Sequence, residues 1–277
     1  MSRAPRIEVA DGVYHVVARG NERKALFKDT VDRERFLEIL ELTIRRFRWQ
    51  LLAYCLMTNH YHALVQTPEP NLARGMRQLN GAYAQTFNRR HGRDGHLFQG
   101  RYQARLVQTD EHLLSAVCYV VRNPLRARIC ERLEEWPWSS HHATIGTSPP
   151  GLVAVDVLLS HFGRPRQEGR ARYRELVEIE SASRPAHPII DGDEGFIAMH
   201  LECVRPSPEY PRAHLTPPRR PLHELVTTSA DVAGVAHAYL QHGYSMREIA
   251  THLGCGIATV HRRVRRHEAE LQGTWKT

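Results

Sequence analysis

Alternating and periodic apolar positions divide the front of the chain into short, well-bounded elements. Gly12 to Gly20 is a β-branched and aromatic run between two glycines, which predicts a strand. From Thr30, expected as the cap, Phe36, Leu37, Leu40, Ile44 and Phe47 recur at helical spacing and predict a helix to about Arg48. Leu51–Met57 and Tyr61–Thr67 read as two further strands joined by a polar Thr58-Asn59 step. After the Pro68-Glu69-Pro70-Asn71 break, Leu72, Met76, Leu79, Tyr83 and Phe87 form the stripe of a second helix, and Leu97–Gln108 reads as a fourth strand. The order βαββαβ predicts an α+β, ferredoxin-like (RRM-like) fold: an antiparallel sheet with its helices on one face. Asp110 is the expected cap of a further helix that Pro124 stops near Asn123, because the residue before proline disfavours the α region. Helical patterning then runs from about Val153 to Glu180.

Behind this the character changes. Eight prolines between Ser181 and Pro221 mark residues 181–228 as a linker with short local structure. Residues 229–277 predict a small all-α domain. Ser245–Gly254, opened by a Ser-x-x-Glu capping box, and a helix starting at Ile257 are joined through Gly254-Cys255-Gly256, the pattern of a helix-turn-helix. The second helix would enter the major groove with Thr259, His261, Arg262 and Arg263 near bases or phosphates, and Arg265 and Arg266 behind them. Residues 1–180 make the front domain.

Charge narrows the partners. The net charge is +8 and only Lys24, Lys28 and Lys276 are lysines, so arginine supplies nearly all the positive charge. Its planar fork suits phosphates, and a basic chain of this kind reads as nucleic-acid binding. No apolar run is long enough for a membrane span, and the N-terminus lacks a secretory segment. Five scattered cysteines without a Cys-x-x-Cys pair exclude a zinc ribbon and fit a reducing cytoplasm.

Two places carry chemistry. His60 and His62 stand two residues apart, so on a strand both imidazoles share a face while Tyr61 points to the other. Neutral imidazole is the commonest side-chain metal ligand, although 18 His in the chain make one His-x-His pair an ordinary chance event. Tyr119 and Asn123 are i and i+4 near a helix end, with Arg122 and Arg126 around them.

Together Asn59-His60-Tyr61-His62, the Tyr119-Val-Val-Arg-Asn123-Pro124-Leu-Arg-Ala127 segment and Trp138-Ser139-Ser140 resemble the REP-associated tyrosine transposases, a single-tyrosine branch of the HUH enzymes. Tyr14-His15-Val16 with Arg19-Gly20-Asn21, and Gly95–Tyr102, look like further family segments over about residues 7–180. The resemblance implies a metal-dependent endonuclease and strand transferase that nicks and rejoins single-stranded hairpin DNA of repeated palindromic elements through a 5′-phosphotyrosine. It implies Tyr119 as nucleophile, with Tyr83 and Tyr102 as rival tyrosines, and His60, His62 and Asn123 as ligands of a divalent metal, Mg²⁺ or Mn²⁺. No residue stands out as general base. Arg19, Arg89, Arg90, Arg101, Arg105, Arg122 and Arg126 would contact DNA, and the helix-turn-helix extension would reach duplex DNA. A cytoplasmic monomer or dimer is expected. The competing reading is a non-catalytic DNA-binding regulator acting through its tail. A replication initiator or relaxase would be favoured by a second tyrosine on the Tyr119 helix, which is absent.

Overall fold

The structure is a computed structural model that describes residues 7–109, 111–179, 187, 189–202, 221–226, 231–240, 244 and 246–273, with residues 240 and 268–273 as backbone only. The chain divides into two compact units, one built on Arg6–Gly192 and the other on Asp193–Thr277.

In the first unit β1 (Gly12–Arg19), α1 (Thr30–Phe47), β2 (Gln50–Leu56), β3 (His60–Thr67), α2 (Leu72–His91) and β4 (Gln103–Val107) follow one another. The sheet order is β2-β3-β1-β4, antiparallel throughout, with a two-residue β5 (Ile190–Asp191) added parallel to β4. This is the split-βαβ topology expected. The fourth strand is shorter than its pattern, because Leu97 and Gln99 spend their backbone groups on Asn21 and Arg19 across the turn after β1.

Alternation along β3 sends Tyr61 to one face and His60 and His62 to the other. On the Tyr61 side α1 and α2 close the core. Phe36 packs against Tyr61, Tyr83 and Phe27 with centroids 4.6, 5.1 and 5.4 Å apart, and the Tyr61 hydroxyl donates to Asn80 Oδ1 at 2.7 Å. Asp29, not Thr30, caps α1: its carboxylate accepts from the Asp32 N–H at 3.0 Å. Asp32 in turn binds Arg90 and His91 at the far end of α2. The start of α2 is capped from a distance, where the Glu8 carboxylate accepts from the Ala73 N–H. The Asn71 side chain turns instead to Trp49, whose indole N–H donates to it at 2.6 Å.

The helices do not all lie on one face. α3 (Glu111–Val121) buries Leu113, Ala116, Val117, Val120 and Val121 on the histidine side of the sheet, packing on β2, β3 and β4. The four-residue α4 (Asn123–Arg126) follows, then α5 (His141–Ile145), α6 (Val155–Phe162) and α7 (Arg166–Glu178). The helical patterning over about 153–180 is realised as two helices parted at Gly163, whose φ of 145° no helix accommodates.

In the second unit α8 (Glu194–Glu202), α9 (Leu222–Leu225), α10 (Val232–Leu240), α11 (Met246–His252) and α12 (Ile257–Gly273) are described. Val235, Ala238, Ile249, Ala250, Val260 and Val264 make its core. α11 ends in a Schellman turn: Cys255 N–H returns to Ala250 O and Gly254 N–H to Thr251 O, with Gly254 at φ +60°. The caps expected at Asp110 and Ser245, and most of the proline-rich stretch, lie outside the described residues.

Gly75 shows how closely α2 seats on the edge of β2. A Cβ there would lie 2.1 Å from Trp49 Cζ2, inside a ring also held by Asn71. Gly75→Ala should therefore lower unfolding stability by about 1–3 kcal/mol in chemical denaturation, despite alanine's better helix propensity. An unchanged or raised midpoint would show that the Trp49 contact is slack.

Candidate functional site

The site lies on the face that α3 covers. Register fixes its floor: Val17 opposes His62, Arg19 opposes His60, and Arg105 of β4 opposes His15. All five polar side chains therefore share one face. His15 and His62 are buried, at 6% and 5% exposure, whereas His60 is partly open. Their rings stack with centroids 5.1 Å apart, and His60 meets His62 edge-on at the same distance.

α3 brings the tyrosine. Tyr119 sits 5.8 Å from His62 and 5.5 Å from His15 between ring centroids, both edge-to-face. Its neighbours Val117, Cys118, Val120 and Val121 are buried, while Tyr119 itself is partly exposed. The Arg126 guanidinium stands 4.2 Å over its ring, a cation–π contact. Of the rivals, Tyr83 is buried between α1 and α2 and donates to Leu26 O. Tyr102 lies by Tyr14 and Tyr61, whose hydroxyls it perturbs, on the side of the sheet away from the histidines.

Pro124 explains Asn123. A proline has no N–H to return to the Val120 carbonyl, so the helix ends with acceptors to satisfy. The Asn123 amide nitrogen donates to Tyr119 O at 2.8 Å and Val120 O at 3.3 Å. Its oxygen is the atom left to act as a ligand.

The imidazoles are neutral. Burial, then Arg19, lowers His60 to about 4; burial, then Arg105, lowers His15 to about 3. Burial, then His15, His60, Arg19 and Arg126, holds His62 well below its ordinary value. Neutral rings are the ligating form. Each ring also has its Nδ1 engaged, His60 with Asn59 Oδ1 at 2.7 Å and His62 with His15 Nε2 at 2.9 Å. Among the described residues no three His, Cys, Asp or Glu side chains make a ready metal cage. The uncharged polar atoms that this face leaves open are the Nε2 atoms of His60 and His62 and, at the end of α3, the Asn123 oxygen. Of the two cations expected, nitrogen ligands lean toward the softer Mn²⁺, whereas Mg²⁺ favours oxygen.

The expected DNA-contacting arginines scatter. Arg19 and Arg105 edge the site, and Arg126 caps the tyrosine. Arg90 pairs with Asp29 and Asp32, and Arg122 donates to Val177 O and to Ile179 O, so both are tied into the scaffold. Arg89 and Arg101 are exposed. On α12, His261, Arg262, Arg265 and Arg266 form an outward basic face opposite the buried Val260 and Val264, with Thr259 and Arg263 at its margins. A groove of about 550 Å³ lies elsewhere, along α7. Two of its arginines, Arg170 and Arg174, donate to the carbonyls ending α5, so they cap that helix, and none of the candidate site residues lines the groove. Sequence reasoning gave no role to His15 or Asn59. The signal was there: a histidine inside the apolar run of β1, and an amide directly before His60.

Residues 8–123 match the family described as "Transposase IS200 like", a span that runs from before β1 to Asn123. A candidate REP-associated tyrosine transposase of Haemophilus influenzae is 25% identical over 121 residues, 40% of this chain and 69% of that protein. Two solved structures resemble the chain. A REP-associated tyrosine transposase bound to a REP hairpin is 18% identical with a TM-score of 0.46, covering 56% of this chain and 90% of its own. A candidate transposase from Deinococcus radiodurans is 20% identical with a TM-score of 0.31, covering 48% and 96%. The front of the chain is similar to IS200-like and REP-associated tyrosine transposases, as its motifs imply.

The lowered histidines make stability depend on pH. Each binds fewer protons folded than unfolded between its folded value and 6.5, so acid favours the unfolded chain across that window. Their contribution is complete above about pH 7 and falls as pH drops through 6.5 toward 4. Denaturation midpoints should therefore decline from pH 7.5 to pH 5, and His62→Gln should flatten part of that decline. Equal stability at both pH values would contradict the neutral-histidine assignment.

Proposed function

We propose that the protein cleaves and rejoins single-stranded DNA folded as an imperfect hairpin, with Tyr119 as the nucleophile. The observation that supports this best is the convergence of a partly open tyrosine with two neutral, strand-borne imidazoles, although some 57 residues separate His62 from Tyr119.

In the first step the Tyr119 oxygen attacks the scissile phosphorus. A Tyr119–phosphate bond forms, the bond to the 3′ oxygen breaks, and that oxygen leaves as a hydroxyl, taking up a proton equal to the one the phenol gives up. The 5′ end stays on the protein and the free 3′-OH can attack in reverse, so strands change partners without an external energy source. Arg126, over the Tyr119 ring, would hold the nucleophile's ring in place and add positive charge beside the phosphate. Asn123 ties itself to the carbonyls of Tyr119 and Val120, which fixes the nucleophile's turn of helix relative to the ligand oxygen. His60, His62 and Asn123 would hold the divalent ion, which when bound supplies positive charge to a non-bridging phosphate oxygen. Arg19, Arg101 and Arg105, around the β1–β4 end of the face, would lie along the phosphates, with Arg89 beyond them.

In this reading the front domain carries the chemistry, and residues 229–277 target the enzyme. The exposed His261, Arg262, Arg265 and Arg266 face, with Thr259 and Arg263, fits a duplex backbone and major groove. That same face favours the second reading, a regulator that acts through the tail alone. The two separate cleanly. Removing residues 229–277 should leave hairpin cleavage in place and weaken only duplex binding; loss of all DNA-dependent function on truncation would favour the regulator.

The direct test is Tyr119→Phe with a labelled hairpin oligonucleotide and Mn²⁺ or Mg²⁺. Cleavage should fall about a thousandfold or more, while hairpin affinity changes little because one hydroxyl is lost. Undiminished cleavage by the variant would remove Tyr119 from the mechanism.

A further inference from the structure

His15 has no role in the reading above, yet it is the side chain most intimately bonded to it. Its Nε2 lies 2.9 Å from His62 Nδ1 in a buried setting, and the two rings stack at 22°. A hydrogen bond between two imidazole nitrogens has one proton to share, so the pair has two possible arrangements. In one, His15 Nε2–H donates. His62 then carries its own proton on Nε2 and has no lone pair left to bind a cation. In the other, His62 Nδ1–H donates to a bare His15 Nε2, and His62 Nε2 is free to ligate.

The neighbouring ligand shows which arrangement suits the site. Asn59 anchors its amide nitrogen on Arg23 O at 3.0 Å, so its oxygen is the atom that faces His60. An amide oxygen only accepts. His60 is therefore the Nδ1–H tautomer with a bare Nε2. A two-imidazole site works only if His62 matches it, and His15 is the group in contact with His62 Nδ1 that can make it do so.

We propose that His15 is a positioning residue that accepts the Nδ1–H of His62 and thereby locks the His62 tautomer and ring plane that present Nε2 to a divalent cation. The inference rests on the reading of His60 and His62 as cation ligands. Partners of ligating histidines are commonly carboxylates or carbonyls. A carboxylate on β1 at this place would set a negative charge under a floor that must receive a phosphate. An imidazole accepts the same proton with no charge at all. Cross-strand placement makes the contact rigid: His15 faces Arg105 on one side and, two residue pairs along from the Val17–His62 pair, is the diagonal same-face neighbour of His62 on the other. The charged groups nearest the pair are Arg105, Arg19 and Arg126, all cations, so the neutral acceptor is surrounded by the field a phosphate would need.

The proton's position is measurable without any activity. In the full chain labelled with ¹⁵N-histidine, free of metal at pH 7.5, long-range ¹H–¹⁵N spectra report which nitrogen of each ring is protonated, with His62→Gln identifying the His62 signals. The expected result is His62 protonated at Nδ1 and bare at Nε2, with His15 bare at Nε2. A His62 ring protonated at Nε2 would overturn the proposal. Mn²⁺ binding followed by electron paramagnetic resonance gives the second arm. His15→Leu should weaken Mn²⁺ by about 10–100-fold, and His15→Gln, whose side-chain oxygen also accepts, should recover most of the loss. Unaltered affinity in a folded His15→Leu variant would overturn it as well. If the leucine variant fails to fold, the tautomer of the unmodified chain decides. Absence of Mn²⁺ binding by the unmodified chain would instead remove the cation reading itself, leaving the tautomer to judge His15 independently.

Discussion

The register of β3 governs everything the front domain can do. Strand alternation is strict, so a slip by one residue would turn the imidazoles into the α1–α2 core and Tyr61 out to the site. What prevents the slip is bulk and one hydrogen bond. Tyr61 is 1% exposed, wedged against Phe36, with its hydroxyl satisfied by Asn80. An unsatisfied phenol or a cavity the size of a tyrosine would each cost several kcal/mol, roughly, which is a large part of a domain's total stability. The middle residue of the His-Tyr-His triplet thus serves as the peg that holds the outer two in place.

From that peg the site is assembled by neighbours rather than by sequence proximity. β1 lies between β3 and β4, so His15 and Arg19 arrive beside the imidazoles and Arg105 beside His15. α3 crosses the same face because its buried row, Leu113, Ala116, Val117, Val120 and Val121, is broad enough to pack on the sheet while leaving Tyr119 at the margin. Pro124 then stops the helix, and Asn123 uses its amide to close the end. The residue that caps the helix is also the one proposed as the third ligand, its amide nitrogen spent on the helix end. Burial and the arginines keep the three imidazoles neutral, so this face combines uncharged rings with a positive surround, which fits the proposed phosphodiester substrate.

Much of this could be read in the sequence because the deciding signals were local. Two-residue alternation placed His60 and His62 together, helical spacing placed Tyr119 with Asn123, and the βαββαβ order gave the sheet topology. The parts that escaped were long-range. Which face α3 would cover depends on packing that no local period encodes, so the sequence left its side of the sheet open. His15 was invisible as a partner because its meaning comes from the β1–β3 register, 47 residues away. Arginine roles were equally opaque. Arg90 and Arg122 look like phosphate contacts in the linear pattern, yet one pairs with Asp29 and Asp32 and the other binds carbonyls at the end of α7. The α1 cap moved by one residue, from Thr30 to Asp29, because the carboxylate also draws in Arg90.

The central claim is that the Tyr119 oxygen becomes bonded to phosphorus beside the paired imidazoles. The most direct measurement is to trap the covalent adduct with a hairpin oligonucleotide carrying a 3′ leaving strand that cannot return, digest it, and map the modified residue by mass spectrometry. A nucleotide mass on the peptide containing Tyr119, at its phenol, is the predicted result. An adduct on Tyr83, Tyr102 or any other residue, or cleavage without an adduct, would contradict it.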